Sequence, residues 1–399
     1  MTEDNRSMSG RIVIVGGGVG GLEALLALRA LGGDRLDLTL VSQNDWFIDR
    51  PMTVAEPFGL GSAARHSLSE IAAELGAQFV QATAVGVDAA EHRISCADGS
   101  EIGFETLILA PGARQTSPLP DAIAFGTEGS GEAIREMLVR MRTGDVNSAA
   151  FVAPSMTGWL LPLYELALMT ARDLAGRDVG NVHLSLVTSE TRPLALFGEQ
   201  GSEAVARLLE AAGVEFIGAA AGTHEVMVGV SDEPAAADYL VTLPLLRGPG
   251  IAGLPVTGDQ GFIPVDEYGR VEGRADIHAA GDAVNLPIKQ GGLAAQMADS
   301  AAEYVAARYG ARVEPSPFRP VLRGMLFTGG EPRFLRSDVP NADPDVATAW
   351  YPLWWPPTKV AGRYLAPYLF ERSDAEGFES RPSGFVDIDI PLASATMPG

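Results

Sequence analysis

The chain has 399 residues, of which 46% are hydrophobic and 20% are charged, so it is long enough for two or three domains with a large core. Its formal net charge of −22 disfavours binding to the phosphates of nucleic acids and to anionic membrane surfaces. Its single cysteine, Cys96, excludes an intramolecular disulfide and a cysteine-ligated iron–sulfur cluster.

The segment GRIVIVGGGVGGLEALLALRALG, residues 10–32, joins a branched apolar run to a leucine- and alanine-rich run through a cluster of glycines. The first run predicts a buried parallel strand, and the second predicts a helix. Gly16, Gly18 and Gly21 form the pattern G-x-G-x-x-G, which suits a tight turn, close approach of a pyrophosphate and close helix–strand packing. The free N–H groups at the start of the helix would face the phosphates, so the segment predicts a dinucleotide site.

The next strand is predicted over LDLTLVS, residues 36–42. Sites of this type usually place an acidic residue at the end of that strand to bind the ribose. Ser42, Gln43 and Asn44 stand there instead, and Asp45 comes slightly late. We therefore expect ribose contacts from neutral side chains or from the backbone.

Two later segments add further candidates. ETLILAPGAR, residues 105–114, predicts a strand that ends in a Pro-Gly turn, and residues 275–307 predict a strand, a loop and a long helix. Asp282 follows the second of these strands and a glycine, where it can accept a hydrogen bond from a ligand hydroxyl or cap a helix. The helix predicted to begin near Gln290 would point its positive end at an electron-rich ring.

These elements, in this order, resemble the flavoproteins with two dinucleotide-binding folds, which include pyridine nucleotide–disulfide reductases, type II NADH dehydrogenases and sulfide:quinone oxidoreductases. The resemblance covers roughly residues 10–310 and includes NDWFIDRPM (44–52), LILAPGAR (107–114) and IHAAGDA (277–283). It implies bound FAD, with Asp282 on the ribityl chain. The residues assigned to FAD on this basis are Gly16, Gly18, Val19, Gly20, Gly21, Ser42, Gln43, Arg50, Pro51, Ala110, Pro111, Gly112, Arg114, Gly281, Asp282, Lys289, Gln290 and Gly291.

The resemblance also implies an α/β fold with two Rossmann-like domains, the second inserted in the first, followed by an irregular C-terminal cap. The expected boundaries are 1–120 and 255–310 for the FAD domain, 121–254 for the inserted domain and 311–399 for the cap. In the inserted domain Pro154, Ser155 and Met156 replace the glycine turn, and bulky residues there would keep a pyrophosphate from the backbone. We expect this domain to have a structural role and no nucleotide-binding role. The alternative is that it binds NADH weakly by another route.

The chemistry of sulfur transfer is excluded by the cysteine count, because the sulfide-oxidising relatives need at least two cysteines. Cys96 lies in a predicted strand–turn–strand and is interpreted as a structural residue. The five histidines are scattered without ligand spacing, so no metal site is predicted.

Two further features carry hypotheses about electron transfer. Trp354 and Trp355 lie in a Pro-rich aromatic segment that suits either a packing or dimer contact, or an aromatic wall for a quinone or a membrane interface. Lys289 is one of only two lysines. It is either a solvated loop residue or a cation that stabilises the reduced flavin.

Together these observations predict an FAD-dependent oxidoreductase that passes electrons from a small-molecule donor to a quinone or another hydrophobic acceptor. An NAD(P)H-dependent reductase with an atypical nicotinamide site and a non-catalytic flavin sensor are the alternatives. The polar start MTEDNRSMSG lacks the features of a signal peptide, and no apolar run approaches the roughly 20 residues of a membrane span. We therefore expect a cytoplasmic protein, with peripheral membrane contact and oligomeric state left open.

Overall fold

The computed structural model describes residues 10–153, 158–218, 237–338 and 346–373. The predicted glycine-free turn at Pro154, Ser155 and Met156 lies outside these residues. The helices are α1 (Val19–Gly32), α2 (Leu68–Glu74), α3 (Ser130–Thr143), α4 (Leu161–Ala175), α5 (Gly198–Ala211), α6 (Gly291–Arg308) and α7 (Leu365–Phe370).

The strands in the same residues are short, and half of them belong to one of two parallel sheets. They are β1 (Gly10–Val15), β2 (Leu36–Ser42), β3 (Trp46–Ile48), β4 (Arg65–Ser67), β5 (Gln78–Gln81), β6 (Ala84–Asp88), β7 (Arg93–Cys96), β8 (Glu101–Gly103), β9 (Thr106–Leu109), β10 (Arg114–Thr116), β11 (Ile123–Ala124), β12 (Ser148–Val152), β13 (His183–Val187), β14 (Val214–Ile217), β15 (Tyr239–Thr242), β16 (Leu245–Arg247), β17 (Ile277–Ala279), β18 (Val321–Leu326), β19 (Arg333–Asp338) and β20 (Val346–Ala349).

The first sheet has the strand order β17-β9-β1-β2-β5, with every pair parallel. Its central strand carries Ile12, Val13 and Ile14, which are fully buried because helices and loops cover both faces. The chain moves from β1 to β2 on one side and later returns to β9 on the other. This reversal opens a crevice at the carboxyl ends of β1 and β9, where open α/β sheets bind their ligands.

The second sheet has the order β11-β15-β12-β13-β14 and is also fully parallel. Its strands all lie between β9 and β17 in the chain, so this sheet interrupts the first one in sequence. The α/β class with two parallel sheets is therefore confirmed. The residue numbers chosen as domain boundaries stay predictions.

The C-terminal part contains more regular structure than its proline content suggests. Strands β18, β19 and β20 form an antiparallel sheet before the irregular stretch 350–364. In β18 and β19 polar and apolar residues partly alternate, so Leu322, Leu326 and Leu335 join the core with α4 on one face. On the other face Met325 and Phe334 pack against Trp354. Pro352, Pro356 and Pro357 then prevent a regular element until α7 begins.

The strand–turn–strand predicted around Cys96 forms as β7 and β8, which pair antiparallel. Gly99 in the turn has a φ of 84°, a conformation that favours glycine. The Cys96 thiol is buried and unbridged. No helix within the described ranges is both long enough and apolar enough to cross a bilayer.

Candidate functional site

A cavity of about 470 Å³ opens at the carboxyl ends of β1 and β9. This size lies within the usual range of ligand-binding pockets. Of the residues assigned to FAD from the sequence, all but Gly21, Arg114, Lys289 and Gln290 line it. The lining also includes residues that the sequence analysis did not assign: Val15, Gly17, Val41, Asn44, Trp46, Phe47, Ile48, Arg65, Ala82, Thr83, Ala84, Ala280 and Ala294.

Each glycine of the turn after β1 is required for a different structural reason. Gly16 has a φ of 119°, and a Cβ atom there would overlap the backbone oxygen of Ala110. A Cβ at Gly21 would overlap the Gly16 oxygen, so Gly21 allows α1 to pack closely on the turn rather than lining the cavity. At Gly18 a Cβ would meet no atom within 4 Å, so this glycine leaves space in the cavity itself. The first N–H groups of α1 lack partners within the helix and are available to an anion.

The part of the cavity next to the carboxyl end of β2 carries neutral side chains. Ser42, Gln43 and Asn44 line it, whereas Asp45 does not. The Asp45 carboxylate instead accepts hydrogen bonds from the N–H and the hydroxyl of Ser69, at 2.7 and 2.8 Å. Asp45 therefore stabilises the start of α2.

Asp282 lines the cavity in a short 3₁₀ helix, Gly281–Ala283. Burial raises the pKa of its carboxyl group, and the charges of Lys289 and Arg50 partly oppose that rise. Neither this 3₁₀ helix nor α6 uses the Asp282 side chain as a cap, and Gln290 caps α6 instead by accepting the Leu293 N–H at 2.9 Å. Within the described part of the chain no hydrogen bond reaches the Asp282 carboxylate, so it is free to accept one from a ligand.

Lys289 lies behind this loop rather than in the cavity wall. Its ammonium group donates to the carbonyl oxygen of Asp282 at 3.2 Å and to that of Val284, and it sits 3.6 Å from the ring centre of Phe262. Burial lowers its pKa to about 8. Its role in setting the flavin potential stays a prediction.

Arg114, also assigned to FAD from the sequence, lies in β10, where its Nε donates to the carbonyl oxygen of Gly248 at 2.9 Å. The two tryptophans assigned to substrate likewise lie outside the cavity wall. Trp354 is 1% exposed and contacts Phe334 edge-on, with 5.2 Å between ring centres. Trp355 is half-buried and contacts Phe370 in the same manner at 5.5 Å. Their contribution to a substrate site stays a prediction.

A buried ion pair that the sequence analysis missed lies beside the cavity. The Lys359 ammonium is 2.6 and 2.7 Å from the two oxygens of Glu165 in α4, and it also donates to the carbonyl oxygen of Pro51 at 3.2 Å. Pro51 lines the cavity. Nearby, burial raises the pKa of Asp49 to about 6, and its Oδ1 has no hydrogen-bond partner. No local sequence signal could have revealed this cluster, since its members come from distant parts of the chain.

The described residues at the amino end of α4, beside the second sheet, are covered by side chains. Leu160 and Leu161 at the start of α4 are buried, and Trp159 contacts Phe197 edge-on with 5.9 Å between ring centres. A Cβ at Gly324 of β18 would lie 2.9 Å from Phe197 and 3.5 Å from Leu161. The amino end of α4 is therefore packed against the C-terminal sheet, unlike that of α1.

An acidic residue, Glu190, does follow the second strand of this sheet, but its carboxylate already accepts hydrogen bonds from other residues. Glu190 accepts hydrogen bonds from the Tyr164 hydroxyl and from the N–H of Ala195, the latter at 3.1 Å. Tyr164 accepts the N–H of Leu194 at 3.1 Å. Burial raises the pKa of Glu190 and, together with the Glu190 charge, raises the pKa of Tyr164 well above its usual value. A ribose could bind the Glu190 carboxylate only if these hydrogen bonds were broken.

Comparison with known proteins identifies the family. Residues 10–302 match the family described as pyridine nucleotide-disulphide oxidoreductase. The chain belongs to this family. Its members are FAD-dependent oxidoreductases, so the resemblance inferred from the motifs is confirmed.

Individual relatives within the family share little sequence with the chain. A sulfide-quinone reductase of Aquifex aeolicus is 27% identical over 217 residues, which is 51% of this chain and 48% of that protein. The sulfide:quinone oxidoreductase structure from Aquifex aeolicus has a TM-score of 0.74 at 19% identity, over 86% of this chain and 87% of that one. The NDH2 structure from Plasmodium falciparum in complex with NADH has a TM-score of 0.62 at 13% identity, over 83% and 90%. At these identities the structures establish the shared fold.

The cavity fits the flavin that the family binds. The space at Gly18, the free N–H groups of α1 and the unpartnered Asp282 carboxylate together match a dinucleotide with a pyrophosphate and a hydroxyl-bearing chain. Arg50 and Arg65 line the same cavity and add positive charge. Across the described ranges no group of three or more His, Cys, Asp or Glu residues could hold a metal ion.

Proposed function

We propose that this protein holds FAD in the cavity between β1 and β9 and passes electron pairs to a quinone or another hydrophobic acceptor. One contrast carries the proposal. The amino end of α1 faces an open cavity at Gly18, whereas the amino end of α4 is covered by Phe197 and β18. The chain thus offers one accessible dinucleotide site in its described residues, and that site has the features of a flavin site.

Different residues would bind the pyrophosphate and orient the rest of the cofactor. The turn at Gly16–Gly18 and the start of α1 hold the pyrophosphate, and Asp282 accepts a hydrogen bond from the ribityl chain. Gly291, at the amino end of α6, brings the positive end of the helix dipole to the far side of the cavity. When bound, the flavin supplies the two-electron chemistry, and the protein supplies position and electrostatics.

The burial of Cys96 argues against sulfur chemistry of the kind named for the Aquifex relatives. Cys96 pairs with Ala84 in the small antiparallel sheet and is absent from the cavity wall. It is also the sole cysteine of the chain, so no second thiol could receive sulfur from it. We propose that electrons enter from a donor that needs no cysteine.

The decisive experiment follows the flavin absorbance under anaerobic conditions. The purified protein, reconstituted with FAD, is mixed with NADH, NADPH or sulfide, and separately reduced with dithionite and mixed with a short-chain quinone. We expect slow or absent bleaching by the nicotinamides and by sulfide, and rapid reoxidation by the quinone with formation of quinol. The Gly18→Val variant serves as the flavin-free control.

Two outcomes would replace this proposal by another. Rapid bleaching by NADH or NADPH, together with micromolar or tighter nucleotide binding by calorimetry, would indicate a nicotinamide-dependent reductase. A flavin that is held tightly but exchanges electrons with none of these compounds would indicate a sensor.

A further inference from the structure

A carboxylate of α1 binds the backbone of the C-terminal segment. Glu23 is fully buried; its Oε1 accepts the N–H of Tyr364 at 2.7 Å and its Oε2 accepts the N–H of Leu365 at 2.8 Å. The segment approaches so closely that a Cβ at Gly362 would overlap the Glu23 carboxylate. Glu23 lies two residues after Gly21, so this contact joins the segment to the helix that begins at the phosphate-binding turn.

A second carboxyl group meets the first. The side chain of Asp299 in α6 forms a hydrogen bond with Glu23. The Oδ1 atom of Asp299 is buried and has no hydrogen-bond partner. Two carboxyl groups can bond to each other only if one of them carries a proton. Burial raises the pKa of Glu23, and burial followed by the charge of Glu23 raises the pKa of Asp299 well above its usual range. The hydrogen bond between the two carboxyl groups and the raised pKa of each therefore favour a pair that holds one shared proton.

Few nearby charges can offset the additional negative charge that loss of this proton would leave on the pair. The other ionisable groups that act on the pair are Glu303 on α6, and Arg363 and Tyr364 on the segment. Arg363 forms an ion pair with Glu303 at 2.9 Å, and Glu303 also accepts the N–H of Ser316 at 2.8 Å. Among the residues that the structure describes, one cation, Arg363, thus faces three carboxyl groups. A second negative charge on the pair would be repelled by Glu23 itself and by Glu303.

The segment held by Glu23 forms part of the cavity surroundings. Val360 packs against Gly291, where a Cβ would lie 3.4 Å from Val360 Cγ2. Lys359 donates to the carbonyl oxygen of Pro51 at 3.2 Å. Gly291 and Pro51 both line the cavity. The position of residues 359–365 therefore determines how well this end of the cavity is supported.

We propose that Glu23 and Asp299, joined by one shared proton, are positioning residues that hold residues 359–365 against the cavity, and that loss of the proton loosens this segment. Glu23 acts through the backbone of Tyr364 and Leu365, and neither carboxyl group lines the cavity. The folded-state pKa of Asp299 is raised, so the contact weakens as the pH rises through that value and the second carboxyl group ionises.

The test measures backbone hydrogen exchange in the peptide that covers residues 359–370, in the full chain and between about pH 6 and pH 10, after correction for intrinsic exchange rates. In the wild type we expect protection of the Tyr364 and Leu365 amides to fall as the pH rises. In Asp299→Asn the amide donates to Glu23 without needing a titrating proton, so protection should stay constant over the same range. Glu74→Gln is the matched control, because Glu74 contacts Tyr368 and Arg372, just beyond the segment, from an exposed site.

Parallel pH profiles in the wild type and Asp299→Asn would overturn the proposal. If Asp299→Asn does not fold, the wild-type profile decides, because protection that stays constant up to the highest pH excludes a titrating contact. Glu23→Gln should lower protection of one of these two amides at every pH, since one of its two acceptors becomes a donor. Exchange is measured with and without FAD, so failure here would leave the proposed oxidoreductase function standing.

Discussion

The Lys359 ammonium lies 2.6 Å from the Glu165 carboxylate, and the two side chains are only 5% and 0% exposed. The pair joins the C-terminal segment to α4 of the second sheet, and the additional bond to Pro51 reaches the wall of the cavity. Lys359 also sits 4.2 Å from the ring centre of Phe327. Three parts of the fold therefore meet at one buried cation.

Removal of that cation should be costly. In Lys359→Met the buried Glu165 carboxylate loses its counterion, and we expect a loss of about 3–5 kcal/mol in the free energy of unfolding by urea. Arg372→Ala, which breaks an exposed ion pair with Glu74, is the control and should cost less than about 1 kcal/mol. Equal losses in the two variants would contradict the role assigned to Lys359.

Two glycine variants should separate flavin binding from folding. Gly18→Val places its side chain into open cavity space, so the protein should fold normally and lose its FAD. Gly16→Ala would strain a positive φ and overlap Ala110, so it should lower stability as well. Flavin content by absorbance and thermal unfolding by circular dichroism measure the two effects. Full FAD content in Gly18→Val and in Asp282→Ala would show that the site lies elsewhere.

Lys289→Met distinguishes two effects of one charge. If the ammonium stabilises the reduced flavin, the midpoint potential should fall, by roughly 30 mV for each ~1.4 kcal/mol of lost stabilisation. If it acts through the carbonyl groups of Asp282 and Val284, FAD should dissociate faster at an unchanged potential. Redox titration and FAD dissociation kinetics supply the two readings. A variant that matches the wild type in both would remove Lys289 from the flavin site.

His278 should make the fold sensitive to acid. Burial lowers its folded-state pKa to about 4, whereas the unfolded chain binds this proton near pH 6.5. Its contribution to stability is therefore complete above about pH 6.5 and is lost as the pH falls toward 4, by up to about 3 kcal/mol. His278→Gln should flatten this part of the stability profile measured by urea unfolding. An unchanged slope would mean that the imidazole is already protonated in the fold.

The two tryptophans should behave differently from each other. Trp354 is fully buried beside Phe334, so Trp354→Ala should lower stability by about 3–5 kcal/mol. Trp355 is half-buried, so Trp355→Ala is the better probe of quinone turnover at intact FAD content. Unfolding and steady-state kinetics of both variants test this. Wild-type turnover in Trp355→Ala, with FAD retained, would leave both residues with a packing role.

Local patterns explain which parts of the fold could be predicted from sequence. Strand β2 spans the predicted residues 36–42, and the turn at Gly16–Gly18 forms as expected, because strand period and glycine spacing act over a few residues. That neutral side chains follow β2 in the cavity wall could also be predicted, since Ser42 and its two neighbours are consecutive.

Contacts between distant residues could not be predicted in this way. Glu165 and Lys359 are separated by 194 positions, and Arg65 reaches the cavity only because β4 pairs with β3 in a register that no local pattern specifies. The position of Lys289 before α6 leaves two interpretations open, a solvated loop residue or a cation near the flavin. Its side chain donates to two carbonyl groups of the preceding loop, a choice of rotamer and packing that sequence position does not determine.

The contacts of the two lysine side chains have a consequence for chemical labelling. The sequence contains only two lysines, and both of their amines are engaged inside the fold, Lys359 with a carboxylate and Lys289 with backbone oxygens. An acylating reagent must reach the amine, and in the native state both amines are already held by hydrogen bonds. Acylation of these two side chains should therefore be slow in the folded protein. Incorporation at Lys359 would record opening of the junction between α4, the cavity wall at Pro51 and the C-terminal segment.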